Sequence, residues 1–167
     1  MLGKQDKSFN SISLYTGGML QWYFIETLDI LNTDEAIYAC PNYIKIESGR
    51  PVTHSCNEFA LHTSSVAEST QIMNNFFSIY EPIQFEKIEK KDLVVFKDAQ
   101  GVTRHLALVF EKGSTVNETT IIGKFANLEL IQHQLKYTPN FYGVKVSFFR
   151  KKNPDAYEYL MTLICKT

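Results

Sequence analysis

Two residue types that cooperate in nucleophilic catalysis, a cysteine and a histidine, stand in contexts that suit that chemistry. Cys56 lies in the polar segment 54–57 and is followed by a helix-compatible run, so we expect it in the first turn of a short helix. A helix N-terminus presents free N–H groups and a partial positive charge, and both favour the nucleophilic thiolate. His105 opens the apolar run 106–110, which predicts a strand. Together they could form a Cys–His nucleophile pair.

The three cysteines need separate interpretations. A free cysteine is more often a small buried hydrophobe than a nucleophile, and Cys40 and Cys165, which lie near apolar runs, receive that interpretation. The polar neighbours of Cys56 favour the catalytic role for it. The odd number, the wide spacing and the lack of a CxxC motif indicate neither a disulfide framework nor a structural zinc site.

The strand of His105 alternates, and alternation assigns its residues to two faces. His105, Ala107 and Val109 share one face. Because the residues beyond the histidine on that face are small, we expect the helix that carries Cys56 to pack against it. His105 would then act as the general base. The alternative is a strand-edge histidine hydrogen-bonded to water.

A histidine base is generally oriented by a third polar group. If the histidine strand and a strand at 119–124 form a hairpin, the position opposite His105 falls near Lys124, whose ammonium cannot accept a hydrogen bond. Asn127, just past the strand end, can accept one, and it is our predicted orienting residue. Asn117 is a further candidate, but this hairpin places it near the tip.

The remaining histidines give no metal site. His54, Cys56 and His62 have a spacing that matches no common zinc pattern, so we predict neither a metal nor another cofactor. We expect His62 and His133 at the surface.

The elements that must position this pair follow from hydrophobic periodicity. Helices are predicted at 19–31, 56–62, 66–76 and 154–165, although residues 22–25 alone would suit a strand. Strands are predicted at 43–47, 93–96, 105–111, 119–124 and 144–150. A connector is expected at 77–88 and a helical turn at 128–135. This order predicts an α+β fold in which helices pack on one face of an antiparallel sheet of about four to six strands.

Length and composition limit the function classes. The 167 residues predict one domain spanning 1–167, with 1–14 as a possible loose arm. A formal net charge of −1 gives no electrostatic case for nucleic-acid binding. No apolar run reaches the ~18 residues of a membrane span. The first residues carry no signal-peptide pattern, so we expect a cytoplasmic protein or one exported without a classical signal.

Three segments together resemble the NlpC-type, papain-like cysteine hydrolases. Segment 55–61 (SCNEFAL) is similar to the opening around their nucleophile, 91–96 (KDLVVF) to their G-D-L-V-x-F strand, and 104–109 (RHLALV) to their histidine strand. The resemblance covers roughly residues 52–150 and implies a papain-like core. It implies Cys56 as nucleophile and His105 as base.

The implied activity is hydrolysis of an amide through a thioester, without a cofactor. The substrate would be a peptidoglycan stem peptide or a protein side chain, so the expected partners are a peptide, a peptidoglycan fragment or a target protein. Ser55, Glu58 and Lys91 depart from the family pattern, which places a carboxylate or amide before the nucleophile and glycines at the other two positions. Two alternatives therefore stay open: a non-catalytic binding module on the same fold, and an effector-type deamidase or acyltransferase acting on a protein.

Overall fold

One antiparallel sheet of eight strands, accompanied by three helices, organises the part of the chain that the structure describes. The structure is a computed structural model, and it describes residues 20–25, 37, 40–41, 43–46, 55–125 and 130–153. Every strand pairing is antiparallel. The mixed α+β fold with an antiparallel sheet, predicted from the sequence, is confirmed.

The elements are numbered in chain order. The strands are β1 Tyr23–Phe24, β2 Ile44–Ile46, β3 Tyr80–Ile83, β4 Leu93–Lys97, β5 Thr103–Glu111, β6 Thr120–Lys124, β7 Leu130–Gln134 and β8 Lys145–Lys151. The helices are α1 Cys56–Leu61, α2 Val66–Asn74 and α3 Phe76–Ile79, with 3₁₀ turns at Phe85–Lys87, Leu135–Tyr137 and Asn140–Tyr142. The strand order is β1-β8-β4-β5-β6-β7-β2, and β3 also pairs with β8.

The sheet separates two apolar cores. The helix-side core joins α1, α2 and α3 to one face of β4, β5 and β8; its members include Ala60, Leu61, Ile72, Met73, Phe76, Leu93, Val95, Leu106 and Phe149. The opposite core lies on the other face; its members include Val94, Phe96, Ala107, Val109, Ile121, Phe125, Ile131, Tyr142, Val146 and Phe148. Because successive residues point to opposite faces, the central strands β4 and β5 are buried on both sides.

Local sequence explains where the first helices begin. Ser55 caps α1 by accepting from the Glu58 N–H, and the Glu58 carboxylate accepts from the Ser55 N–H at 2.6 Å, which completes a capping box. Ser65 caps α2 by accepting from the Glu68 N–H. The first four N–H groups of a helix have no intrahelical partner, and each of these serines supplies an acceptor for one of them.

The four predicted strands of the second half are confirmed as β4, β5, β6 and β8, and β2 confirms the short strand predicted at 43–47. Two other predictions were wrong. The segment 128–135 contains strand β7, and the connector 77–88 contains strand β3. Pairing with β6 and β8, at long range in the sequence, decides both. Pro82 is compatible with β3 because that strand lies at an edge of the sheet.

The predicted helix at 19–31 falls partly outside the described residues, and its described portion contains strand β1. The predicted helix at 154–165, the arm 1–14 and Cys165 lie outside them entirely. Among the helices that the structure describes, none combines the length and apolar character needed to span a membrane.

Candidate functional site

Cys56 occupies the position that the sequence predicted, the first residue of α1. Its side chain is half-buried, whereas Cys40 is buried. Helix α1 packs against β5 and β6, and its residues Ala60 and Leu61 contact the helix-side core together with Leu106 of β5. The cysteine therefore sits where the start of a helix meets the middle of the sheet.

The surroundings of the Cys56 sulfur favour the neutral thiol. Burial raises the pKa of this thiol above its usual value, and the Glu58 carboxylate adds to that effect. The backbone amides of Leu106, Asn57 and Cys56 itself act as hydrogen-bond donors toward the sulfur and lower the pKa, but by less than burial raises it. The S–H group donates to Oδ1 of Asn57, with 3.5 Å between Sγ and Oδ1. The thiol is thus held protonated.

His105 lies on the face of the sheet that carries the opposite core, with 1% of its surface exposed. Its ring packs among three aromatic rings, with centroid distances of 5.2 Å to Phe96, 4.2 Å to Phe125 and 5.0 Å to Tyr142. All three belong to the opposite core. The imidazole is enclosed by these rings and does not face α1.

Burial makes this imidazole a weak base. Desolvation, with a smaller contribution from His133, lowers the pKa of His105 to about 3. Its Nε2 atom is buried and has no hydrogen-bond partner in the part of the chain that the structure describes. A ring in this state is neutral at physiological pH and has no route by which to exchange a proton with a substrate at α1.

The structure does not bring the predicted pair together, which corrects the predicted catalytic pairing of Cys56 with His105. Cys56 approaches the sheet from the helix side, next to the backbone of Leu106, and His105 points to the other side. The small residues that follow the histidine on its face, Ala107 and Val109, do leave space beside the ring. That space is taken by rings from neighbouring segments, Phe125 and Tyr142, rather than by a helix.

The residue that faces His105 across the sheet is aromatic and cannot orient the imidazole through a hydrogen bond. Strand pairing aligns Leu108 with Ile122, and Phe125, one residue beyond Lys124, stands against the imidazole. A difference of one residue exchanges the two faces of a strand, so the Lys124 side chain lies on the face away from His105. Asn127 lies outside the described residues.

The last candidate orienting residue, Asn117, is in the loop between β5 and β6. Its carbonyl accepts from the Lys136 N–H at 3.0 Å. That loop is at the end of β5 away from His105, so Asn117 does not reach the imidazole. Neither of the two candidates within the described residues, Lys124 and Asn117, therefore orients the His105 imidazole.

His133 corrects another prediction, because it is completely buried rather than at the surface. Its Nδ1 lies 2.7 Å from the Gln134 carbonyl oxygen, so Nδ1 carries the proton that it donates. Burial lowers the pKa of His133 to about 4. Ile131 and His133 lie on the same buried face of β7, and this alternation is the sequence signal for the placement of His133. His62 is exposed, as expected, and ends α1 with φ 57°.

Within the described residues, no group of three or more histidine, cysteine, aspartate or glutamate side chains could hold a metal ion. Compared with protein-family models, with curated proteins and with solved structures, the chain matches nothing. The resemblance to NlpC-type hydrolases therefore stays a prediction from three short segments.

Proposed function

We propose that this protein is a non-catalytic binding module. The observation that carries the proposal is that Cys56 and His105 lie on opposite sides of one sheet: the sulfur lies beside the Leu106 backbone under α1, and the imidazole lies among the rings of the opposite core. A papain-like mechanism needs the sulfur and the imidazole within hydrogen-bond reach, with the base able to take the thiol proton. Neither condition is met by this pair.

Electrostatics support the same proposal. An activated cysteine has a lowered pKa, whereas burial raises the pKa of Cys56. A general base works best with a pKa near the operating pH, whereas the pKa of His105 is lowered to about 3. Both residues therefore have the properties of structural side chains. The papain-like core remains our interpretation of the resemblance, but in this protein the residues that correspond to the catalytic pair do not lie together.

A cysteine hydrolase is the second candidate, and one observation favours it. The backbone N–H groups of Leu106, Asn57 and Cys56 converge on the sulfur, and backbone donors of this kind stabilise the oxyanion of an acyl-transfer reaction. Such an enzyme would attack an amide of a peptide, a peptidoglycan fragment or a target protein, and an effector-type deamidase or acyltransferase would share the chemistry. It would need a base other than His105.

Thiol alkylation separates the two candidates. The protein is treated with iodoacetamide over a range of pH, and modification of Cys56 and Cys40 is followed by mass spectrometry. For a binding module we expect Cys56 to react more slowly than a small free thiol, with a midpoint above the usual pKa of about 8.5. His105→Leu should leave its rate unchanged, provided that circular dichroism shows a folded variant.

The opposite result is equally clear. Alkylation of Cys56 at about pH 6 that outpaces the free thiol would demonstrate a thiolate and would favour the hydrolase. A rate that His105→Leu then abolishes in a folded protein would refute the placement of the imidazole on the far face. The Cys56→Ser variant identifies the modified peptide and serves as the blank.

A further inference from the structure

Two lysines lie side by side on the helix-side face, at the end of the sheet where β1, β8 and β4 meet. Lys97 of β4 is directly opposite Lys145 of β8, and Lys145 is directly opposite Phe24 of β1. Residues opposite each other in paired antiparallel strands share a face and lie close together. Lys97, Lys145 and Phe24 therefore form a row across three strands.

This arrangement places two like charges next to each other. Like charges directly opposite in a sheet destabilise it, and an anion between them removes the repulsion. Lys97 is 2% exposed, and its Nζ is buried without a hydrogen-bond partner among the described residues. Burial lowers the pKa of Lys97; the Asp98 carboxylate opposes this shift, and the charge of Lys145 adds a smaller lowering. An ammonium has three N–H donors, and those of Lys97 have no acceptor among the described residues.

The neighbouring carboxylate does not supply the missing acceptor. Asp98 accepts from the Arg104 guanidinium at 2.7 Å and from the Val102 N–H at 2.8 Å. Both of its oxygens are thus engaged in the turn that joins β4 to β5. Over the described ranges, no ion pair joins Lys97 or Lys145 to a carboxylate.

Aromatic rings line the same place. The Lys97 Nζ lies 5.0 Å from the centroid of the Trp22 ring, and the Lys145 Nζ lies 5.4 Å from that of Phe24. These residues and Gly101 line an open cavity of about 260 Å³. Phe24 is 68% exposed, which is unusual for a phenylalanine and leaves its ring available for contact. The cavity thus offers one half-buried cation, Lys145, with the buried charge of Lys97 behind its wall, beside flat apolar surfaces.

We propose that this cavity binds a small phosphate monoester whose organic part is a flat ring. The phosphate group, with a charge of about −1.5 to −2 at neutral pH, accepts hydrogen bonds from the Lys145 ammonium and compensates the neighbouring buried charge of Lys97. The ring stacks on Trp22 and Phe24. The cavity volume admits a small molecule. The inference gives the proposed binding role a ligand class, and in that sense it rests on that role.

The single tryptophan of the chain makes the site directly observable, because Trp22 is the only residue of its type in the sequence. Its fluorescence is measured while phenyl phosphate is added to the full chain. We expect a saturable change. Lys97→Met and Lys145→Met should each weaken binding by about tenfold or more, since Lys145→Met removes a charge-assisted hydrogen bond to the phosphate and Lys97→Met removes the neighbouring positive charge.

Lys90→Met is the matched control. The Lys90 Nζ also lies over an aromatic ring, 4.3 Å from the Phe110 centroid, but in another part of the surface. The affinity of the Lys90→Met variant for phenyl phosphate should equal that of the unchanged protein. Thermal melting checks that each variant folds. If Lys97→Met does not fold, Lys145→Met decides, because Lys145 is half-buried and its side chain is replaced with less disturbance.

Three comparisons can overturn the proposal. No saturable change with phenyl phosphate, or equal affinity in a folded Lys145→Met variant, removes the site. If inorganic phosphate binds as tightly as phenyl phosphate, the aromatic ring does not contribute to binding and that part of the proposal is refuted. If benzoate binds as tightly, the phosphate group is not specifically recognised and the proposed ligand class is wrong. Rapid alkylation of Cys56 with phenyl phosphate binding intact would instead refute only the non-catalytic role, so the two failures are distinguishable.

Discussion

Acidification is expected to destabilise this protein through the two buried histidines, His105 and His133. Burial lowers the pKa of His105 to about 3 and the pKa of His133 to about 4, whereas a histidine in the unfolded chain has a pKa of about 6.5. Above about pH 7.5 both histidines are almost entirely neutral in the folded and in the unfolded state, so neither affects stability. As the pH falls below that value, the unfolded chain binds protons that the folded protein does not.

The sign and the size follow from this difference in bound protons. The unfolded state binds more protons, so the free energy of unfolding decreases as the pH falls, and the decrease levels off below the folded-state pKa values. Between about pH 7.5 and pH 5.5 each histidine removes roughly 1.4 kcal/mol, or about 3 kcal/mol for both. For a chain of this length that loss lowers the melting temperature by roughly 5–10 °C.

The measurement is urea or thermal unfolding followed by circular dichroism in a series of buffers across this range. His105→Leu and His133→Asn should each remove about half of the pH dependence. Asparagine at 133 preserves a donor toward the Gln134 carbonyl, which the His133 Nδ1 now contacts. His62→Asn is the control, because His62 is exposed and asparagine tolerates its positive φ.

A flat profile between these pH values would refute the burial of the two imidazoles in the folded state. The same conclusion would follow if the double variant of His105 and His133 retained the full pH dependence. A large effect of His62→Asn would instead assign the dependence to the surface. Glu68 and Asp98, whose pKa values are lowered, titrate at more acidic pH and do not contribute in this window.

Three further substitutions test the fold. Ser55→Ala should cost about 1 kcal/mol in urea unfolding because α1 loses its N-cap, and an unchanged midpoint would exclude that cap. Arg150→Met should cost about 2 kcal/mol because it leaves Asp92, whose side chain is 5% exposed, without its 2.7 Å partner; full stability would contradict a functional ion pair. Gly143→Ala should lower the melting temperature because φ is 125° and a Cβ would lie 2.8 Å from the Lys97 carbonyl oxygen; an equal melting temperature would refute that backbone conformation.

Much of the secondary structure could be predicted because its causes are local. Ser55 and Ser65 precede helices that they cap, and short runs of apolar residues indicate β4, β5, β6 and β8. Strands β3 and β7 were missed because their short sequences carry weak periodicity, and partners distant in the chain hold them in the sheet. The surroundings of His105 could not be predicted for the same reason, because they too depend on contacts between segments distant in the sequence.

Register decided the environment of His105. The hairpin count put Lys124 opposite the histidine, and the structure puts Phe125 there. An error of one residue is small along the chain, but it exchanges a cation for an aromatic ring. The row of Lys97 and Lys145 was invisible in the sequence for a related reason, because β4 and β8 become neighbours only in the folded sheet.

The sequence by itself determined that Cys56 begins a helix, that His105 lies on a strand, and that His105, Ala107 and Val109 share one face of it. Only the tertiary structure decided which face of β5 meets α1. The physical reason is that β5 is buried on both sides. Alternation assigns the residues of a strand to two faces, but it does not show which face packs against which element. When both faces are apolar, the packing of segments distant in the sequence decides which face contacts the helix.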